Sequence, residues 1–261
     1  MNKTYCTDAE HNCGGAKLEV THISKVFALS TEDDVKTALD NVSFSIKSGS
    51  CTVIGGANGS GKSVLMSIIA GLSKPSSGTI AITGDDSKPA KAGLVFQEAD
   101  SQILGETPLE DVMFGAKNAG LSKADAQSAA ENVLEKVGLK DKMNYPARFL
   151  SGGEKRRLAV AGILVMMRPL IIFDEPYANL DYDGIKQVNA LIELLKSEKK
   201  TIIVLMHDIE KCLGLAGQFI VLHNGKKVFD GSADDGIKMN LSAWGIKNPP
   251  AGIQAADLVW R

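Results

Sequence analysis

Cys51-Thr52-Val53-Ile54 leads through Gly55 into Gly56-Ala57-Asn58-Gly59-Ser60-Gly61-Lys62-Ser63, and Val64 to Ala70 follows; this stretch orders the rest of the chain. Cys51 to Ile54 is an apolar run without alternation, as expected of a parallel strand covered on both faces. Val64 to Ala70 is apolar and helix-compatible. Between them, Gly56 to Ser63 fits a phosphate-binding loop in the strand–loop–helix setting the pattern requires. Glycines let successive N–H groups converge on phosphate oxygens, and the helix start adds partial positive charge. Lys62 would reach the terminal phosphates and Ser63 would offer a hydroxyl to Mg²⁺. The plain alternative is a glycine-rich turn. At average composition the four fixed positions match somewhere in a chain of this length with a probability on the order of a percent.

Outward from that stretch, Leu94 to Phe96, Leu170 to Phe173 and Thr201 to Met206 are further runs without alternation, and they imply an α/β core of parallel strands. Val42, Phe44 and Ile46 alternate with serines and Thr79 to Ile82 is a short β-rich run, so residues 18 to 96 are expected to be strand-rich. Thr107-Pro108-Leu109-Glu110 reads as a helix start with a capping box, and Ser122 to Asp125 opens a second helix that Gly138 stops. Residues 98 to 168 are therefore expected to form a helical insert. An amphipathic helix from about Tyr182 to Ser197 carries Ile185, Val188, Ile192 and Leu195 on one face, and Asn224-Gly225 reads as a hairpin turn.

The 261 residues are 44% hydrophobic and 23% charged, with a net charge of -2, which excludes disorder as the main state. The same balance removes the bulk electrostatic case for nucleic-acid binding, so no nucleic-acid partner is expected. No run approaches the roughly 18 apolar residues of a membrane span. The first sixteen residues are polar and lack the middle of a secretory signal, so a cytosolic protein with free cysteines is expected. Cys6, His11 and Cys13 lie close in sequence, but three ligands without metal-site spacing read as incidental.

Leu170-Ile171-Ile172-Phe173-Asp174-Glu175 brings two carboxylates to the end of a buried strand, where ligands sit in open α/β sheets. Asp174 beside Ser63 would complete a Mg²⁺ site, and Glu175 is the natural group to orient and deprotonate an attacking water. Ser151-Gly152-Gly153-Glu154 reads either as a capping box or as a second phosphate-facing helix end. Lys155, Arg156 and Arg157 in the first turn, where a structural helix prefers acids, favour the second reading.

The ordered set Gly56 to Ser63, Gln97, Leu150 to Glu154, Leu170 to Glu175, Ala178-Asn179-Leu180-Asp181 and His207 resembles the ATP-binding-cassette ATPases over about residues 17 to 232. The resemblance implies an α/β phosphate-loop domain, with a mixed-sheet core lobe and an inserted helical subdomain. A polar extension (1–16) would precede it and a tail (233–261) would pack on or near the core. It also implies a dimer in which each ATP lies between Asn58, Gly59, Ser60, Gly61, Lys62, Ser63 and Val64 of one copy and Ser151, Gly152, Gly153 and Glu154 of the other. Gln97 would link Mg²⁺ and water to the helical lobe, Asp181 would meet the opposite subunit, His207 would contact the γ-phosphate and Phe27 would stack on adenine. Val64 stands where threonine is common; catalysis is expected to survive.

Gln97-Glu98-Ala99-Asp100-Ser101-Gln102, Thr107 to Val112 and Phe114-Gly115 look like the energy-coupling-factor subgroup, which includes the cobalt and nickel uptake ATPases, although the subgroup more usually has Asn-Pro-Asp or Asp-Pro-Asp after the glutamine. That likeness implies a peripheral ATPase at the cytoplasmic face of the membrane. Its partners would be a second ATPase subunit, identical or related, a transmembrane coupling protein and a small substrate-capture protein, and its cargo a vitamin or transition-metal ion. Competing readings are another transporter class, a DNA-repair or chromosome ATPase, and a module that never turns over. The segment from Gln97 to Ser151 has no extended heptads for the coiled coils of chromosome-type relatives, and the full motif set speaks against an inert module.

Overall fold

The computed structural model describes residues 14–28 and 35–261. Cys6, His11 and Cys13, and most of the polar extension, lie outside the described residues. Cys51 and Cys212 are free and buried.

Two sheets form. Strands β1 (Ala16–Ala28), β2 (Val35–Ile46) and β4 (Ser77–Gly84) make an antiparallel sheet in the order β2-β1-β4. Strands β5 (Ala92–Val95), β6 (Leu170–Asp174), β7 (Thr201–Met206), β3 (Cys51–Gly55), β8 (Gln218–His223) and β9 (Lys226–Gly231) make a second sheet in that spatial order, parallel except for β9. The expected run Leu94 to Phe96 stops one residue early, because Phe96 leaves the sheet and is exposed.

Both faces of the central strands are covered, which is why their sequences do not alternate. Val53, Ile171, Phe173, Ile202 and Val204 enter one core, whereas Ile54, Leu170, Ile172, Ile203 and Leu205 enter the other. The second of these cores is shared with the antiparallel sheet and with Leu65, Met66, Ile68 and Ile69 of α1 (Lys62–Ile69). Burying each such side chain contributes roughly 1.5–3 kcal/mol.

Between β5 and β6 the regular elements are helical, among them α2 (Pro108–Asn118), α3 (Lys123–Lys136) and α4 (Gly152–Leu164). Thr107 caps α2 by accepting from the Glu110 amide at 3.3 Å. The reciprocal bond of a capping box is made instead at α4, between Ser151 and Glu154. Helix α5 (Tyr182–Ser197) buries the expected apolar face, with Asp181 as its cap. The two-residue turn Asn224-Gly225 joins β8 to β9 with φ of 48° and 76°, the left-handed pair a tight hairpin requires. That turn is tied to its surroundings, since the Gly225 amide donates to Ser60 O at 3.0 Å and Gly225 O accepts from the Asp40 amide at 2.8 Å.

After β9 come α6 (Ala233–Gly236) and short turns that bury Leu241, Ile246, Ala255 and Leu258. Among the described residues no helix is long and apolar enough to cross a membrane.

Candidate active site

Four neighbouring parallel strands end at one level, since the registers pair Val95 with Phe173, Asp174 with Leu205 and Gly55 with Met206. The residues that follow those ends, Gln97, Glu175, His207 and the loop from Gly56, therefore converge on one edge of the sheet, where α/β folds bind ligands. A cleft of about 600 Å³ is lined by Phe27, Asn58, Gly59, Gly61, Lys62, Ser63, Val64, Gln97 and Glu175. A second, of about 350 Å³, shares Asn58, Gln97 and Glu175 and adds Tyr177 and His207.

The loop is shaped for an anion. Gly61 has φ 105°, and a Cβ there would sit 2.7 Å from Ala38 O; Gly59 has φ 80° with open space around it. Helix α1 starts at Gly61 with no side-chain cap and no acid in its first turn, so its N–H groups keep their partial positive charge. The Ser60 hydroxyl is buried without a partner among the described residues. Lys62 Nζ donates to Gly56 O at 2.7 Å and Ala57 O at 3.1 Å. Burial pushes this ammonium below its ordinary range, and the Glu175 and Asp174 carboxylates oppose the shift.

Glu175 follows β6 with φ 45°, a left-handed conformation that costs a non-glycine residue about 1–2 kcal/mol. Its amide is fixed by donation to Leu205 O at 3.0 Å. The strain aims the carboxylate between two partners, with Oε2 3.0 Å from His207 Nδ1 and Oε1 3.9 Å from Lys62 Nζ. Next to it, burial and the Glu175 charge raise the Asp174 carboxyl above its usual range, with Lys62 opposing. Ser63 hydroxyl, Asp174 carboxylate and Gln97 amide are hard oxygen donors of the kind Mg²⁺ takes, and a cation beside Asp174 would relieve its destabilised charge; the residues fit this ion.

Ser151, Gly152, Gly153, Glu154 and Asp181 are not part of these clefts. They form a second group, in which a Cβ on Gly152 would lie 3.4 Å from Leu180 Cδ2. Ser151 accepts from the Glu154 amide at 3.3 Å, and Glu154 Oε2 accepts from the Ser151 amide at 2.9 Å. The three basic residues that follow do not share one anion-facing side. Lys155 pairs with Asp100 at 2.5 Å, buried Arg156 donates to Gln97 O at 2.5 Å, and Arg157 donates to Gln187 at 2.8 Å. Successive helical residues point about 100° apart, so these charges disperse into separate internal contacts.

Phe27, paired with Lys36 across β1 and β2, is half exposed and lines the larger cleft, with Lys25 Nζ 5.0 Å from its ring centroid. Lys36, Thr37, Ala38, Asn224 and Gly225 also line that cleft and were not foreseen. Nothing local in the sequence brings a hairpin at 224 to a loop at 60; only the sheet order does.

A profile of the ABC transporter family matches residues 39–178. The energy-coupling factor transporter ATP-binding protein EcfA2 of Thermotoga maritima is 37% identical over 225 residues, covering 83% of each chain. The cobalt import ATP-binding protein CbiO of Rhodobacter capsulatus is 36% identical over 223 residues, covering 81% of this chain and 80% of that one. Among solved structures, cbiO1 of Clostridium perfringens, part of the cbiONQ transporter complex, superposes with a TM-score of 0.74 at 32% identity, covering 85% of this chain and 90% of that chain. A dimeric ATP-binding cassette in a post-hydrolysis state, bound to ADP and Pi, gives 0.70 at 27% identity, covering 83% and 98%.

Proposed function

Because the chain belongs to the ABC transporter family, as the ATP-binding and ATP-hydrolysing subunit of an energy-coupling-factor-type uptake transporter, we propose a role for each group at the strand ends. The carrying observation is the Glu175 carboxylate poised between His207 and Lys62 above the phosphate loop. Asn58 to Val64 cradle the phosphates and Phe27 stacks on adenine. Glu175 orients a water and takes its proton as the water oxygen bonds to the γ-phosphorus and the bond to the bridging oxygen of ADP breaks. His207 contacts the γ-phosphate. Ser63, Asp174 and Gln97 would hold Mg²⁺, which when bound neutralises phosphate charge.

The second ATPase subunit, a copy of this chain or a relative, presents Ser151 to Glu154 and Asp181 across the nucleotide. We assign the ATPase unit to 17–232, with its helical subdomain at about 98–168, a polar extension at 1–16 and a packed tail at 233–261. The helical subdomain exposes Leu104, Phe114, Tyr145 and Phe149, large apolar side chains suited to a transmembrane coupling protein at the cytoplasmic face. A small capture protein selects the cargo, a vitamin or a transition-metal ion, which this chain does not touch.

The test is recovery of the tagged chain from its native membranes in mild detergent, with mass spectrometry of what accompanies it. One coupling protein with a small capture protein is the expected catch. Two ordinary permease subunits would overturn the energy-coupling-factor assignment, and an exclusively soluble catch would overturn the membrane partners.

A further inference from the structure

Asn189 interrupts the apolar face of α5 and is only 2% exposed. A buried amide of this kind needs partners for both its N–H groups and its oxygen. Nδ2 donates to Lys211 O at 2.9 Å and to Trp260 O at 2.8 Å, while Oδ1 accepts from the Tyr177 hydroxyl at 2.7 Å. Each partner lies on a different stretch of chain. Tyr177, itself buried, follows Glu175 and Pro176; Lys211 is in the turn after His207; Trp260 belongs to the tail.

The tail leg is held from several sides. The Trp260 amide donates to Lys211 O at 3.2 Å. Its ring lies 5.5 Å from that of Tyr182, the residue after Asp181, and the Tyr182 hydroxyl donates to Arg261 O at 3.0 Å. One buried side chain thus joins the two segments whose ends meet at the 3.0 Å Glu175–His207 contact.

We propose that Asn189 is a positioning residue for ATP hydrolysis: it pins the Glu175 and His207 segments in register and uses the Trp260 carbonyl as its third anchor. The tail thereby takes part in water activation without touching nucleotide. This rests on Glu175 being the water-activating group. A misplacement of about 1 Å at such a centre can cost on the order of 10²-fold in rate, whereas nucleotide affinity, set by the phosphate loop and Phe27, is not tied to this bond network.

The experiment compares steady-state ATPase kinetics and nucleotide affinity of the full chain with those of Asn189→Ala, Tyr177→Phe and Glu175→Gln. Asn189→Ala and Tyr177→Phe should lower kcat about tenfold, with KM for ATP and nucleotide Kd within about twofold of the parent. A lowered melting temperature with unchanged kcat in either variant overturns the proposal and leaves Asn189 as fold support. A fall in kcat matched by weaker nucleotide binding also overturns it, because general loosening would do that. If Asn189→Ala does not fold, Tyr177→Phe decides alone, since it removes one hydroxyl and keeps the ring. Glu175→Gln separates this inference from its premise: a parental rate in that variant would remove Glu175 from its role, and an inactive one leaves the kcat of Tyr177→Phe to judge Asn189.

Discussion

Helices α1 and α4 each start beside glycines and are each assigned to a phosphate, yet the two ends are built in opposite ways. The start of α1 has no side-chain cap and no acid, and its neighbouring ammonium is held below its ordinary range by burial. The start of α4 closes on itself, with Ser151 and Glu154 satisfying each other's backbone amides and Lys142 Nζ 2.5 Å from Glu154. An end of the first kind favours an anion whenever one arrives. An end of the second kind is stable alone, so any phosphate must improve on an existing cap. Even so, the Ser151 oxygen accepts as a cap, and its hydroxyl hydrogen remains a donor for a partner's nucleotide. On the proposed assignment, nucleotide binding at α1 needs no dimer, whereas engagement of α4 is conditional on one.

The largest expected effect lies on the α1 side. Glu175→Gln should cut turnover by about 10²–10⁴ while leaving ATP affinity intact, measured as phosphate release against equilibrium binding. Rapid hydrolysis by that variant would break the assignment of chemistry to this side.

Next in size is the α4 side, where cap and phosphate contact can be separated. Ser151→Ala should cost about 1 kcal/mol of stability through the lost cap. Ser151→Asp keeps a competent cap but sets a carboxylate against the incoming phosphate, so its melting temperature should hold while turnover falls roughly 10–100-fold, the worth of a hydrogen bond to a charged group. Parental turnover in Ser151→Asp would reduce the α4 start to a cap and dissolve the contrast.

The smallest effect concerns unrelieved charge on the α1 side. The folded Asp174 carboxyl is raised by burial first and by Glu175 second. A carboxylate with a raised folded pKa subtracts stability at neutral pH, and the loss fades as pH falls through the folded value toward the ordinary carboxylate range. Asp174→Asn should therefore melt above the parent at pH 7, by roughly 2–4 °C per kcal/mol relieved, with the gap closing in acid. Calorimetry across pH checks the sign; added Mg²⁺ and ATP should stabilise the parent more than the variant.

The α1 site was readable because its chemistry is local: strand, glycines, lysine and serine occupy one continuous stretch. The carboxylates Asp174 and Glu175 were readable for the same reason, and sheet order carried them to the loop. The directions of the basic residues in the first turn of α4 were not legible, because charge in a sequence does not show where a side chain points; Lys155, Arg156 and Arg157 each meet a separate partner within the chain. The tail had no periodicity to read, since it is made of short turns whose anchors lie on distant elements, as Gly214 and Leu258 illustrate with a 2.8 Å backbone bond. Asn189 did leave a trace, a polar residue on an apolar helix face, but its partners are set by tertiary packing alone.

The left-handed backbone of Glu175 bears on how such an ATPase could lose its activity over generations. Exchange of this residue for glycine or asparagine would relax the main chain by up to about 1–2 kcal/mol while removing the carboxylate. That relief is set against the lost 3.0 Å contact with His207 and the loss of the charge that supports the buried Lys62 ammonium. The strained glutamate is therefore held by its partners in the folded chain and, on the role proposed for it, by the demand for hydrolysis.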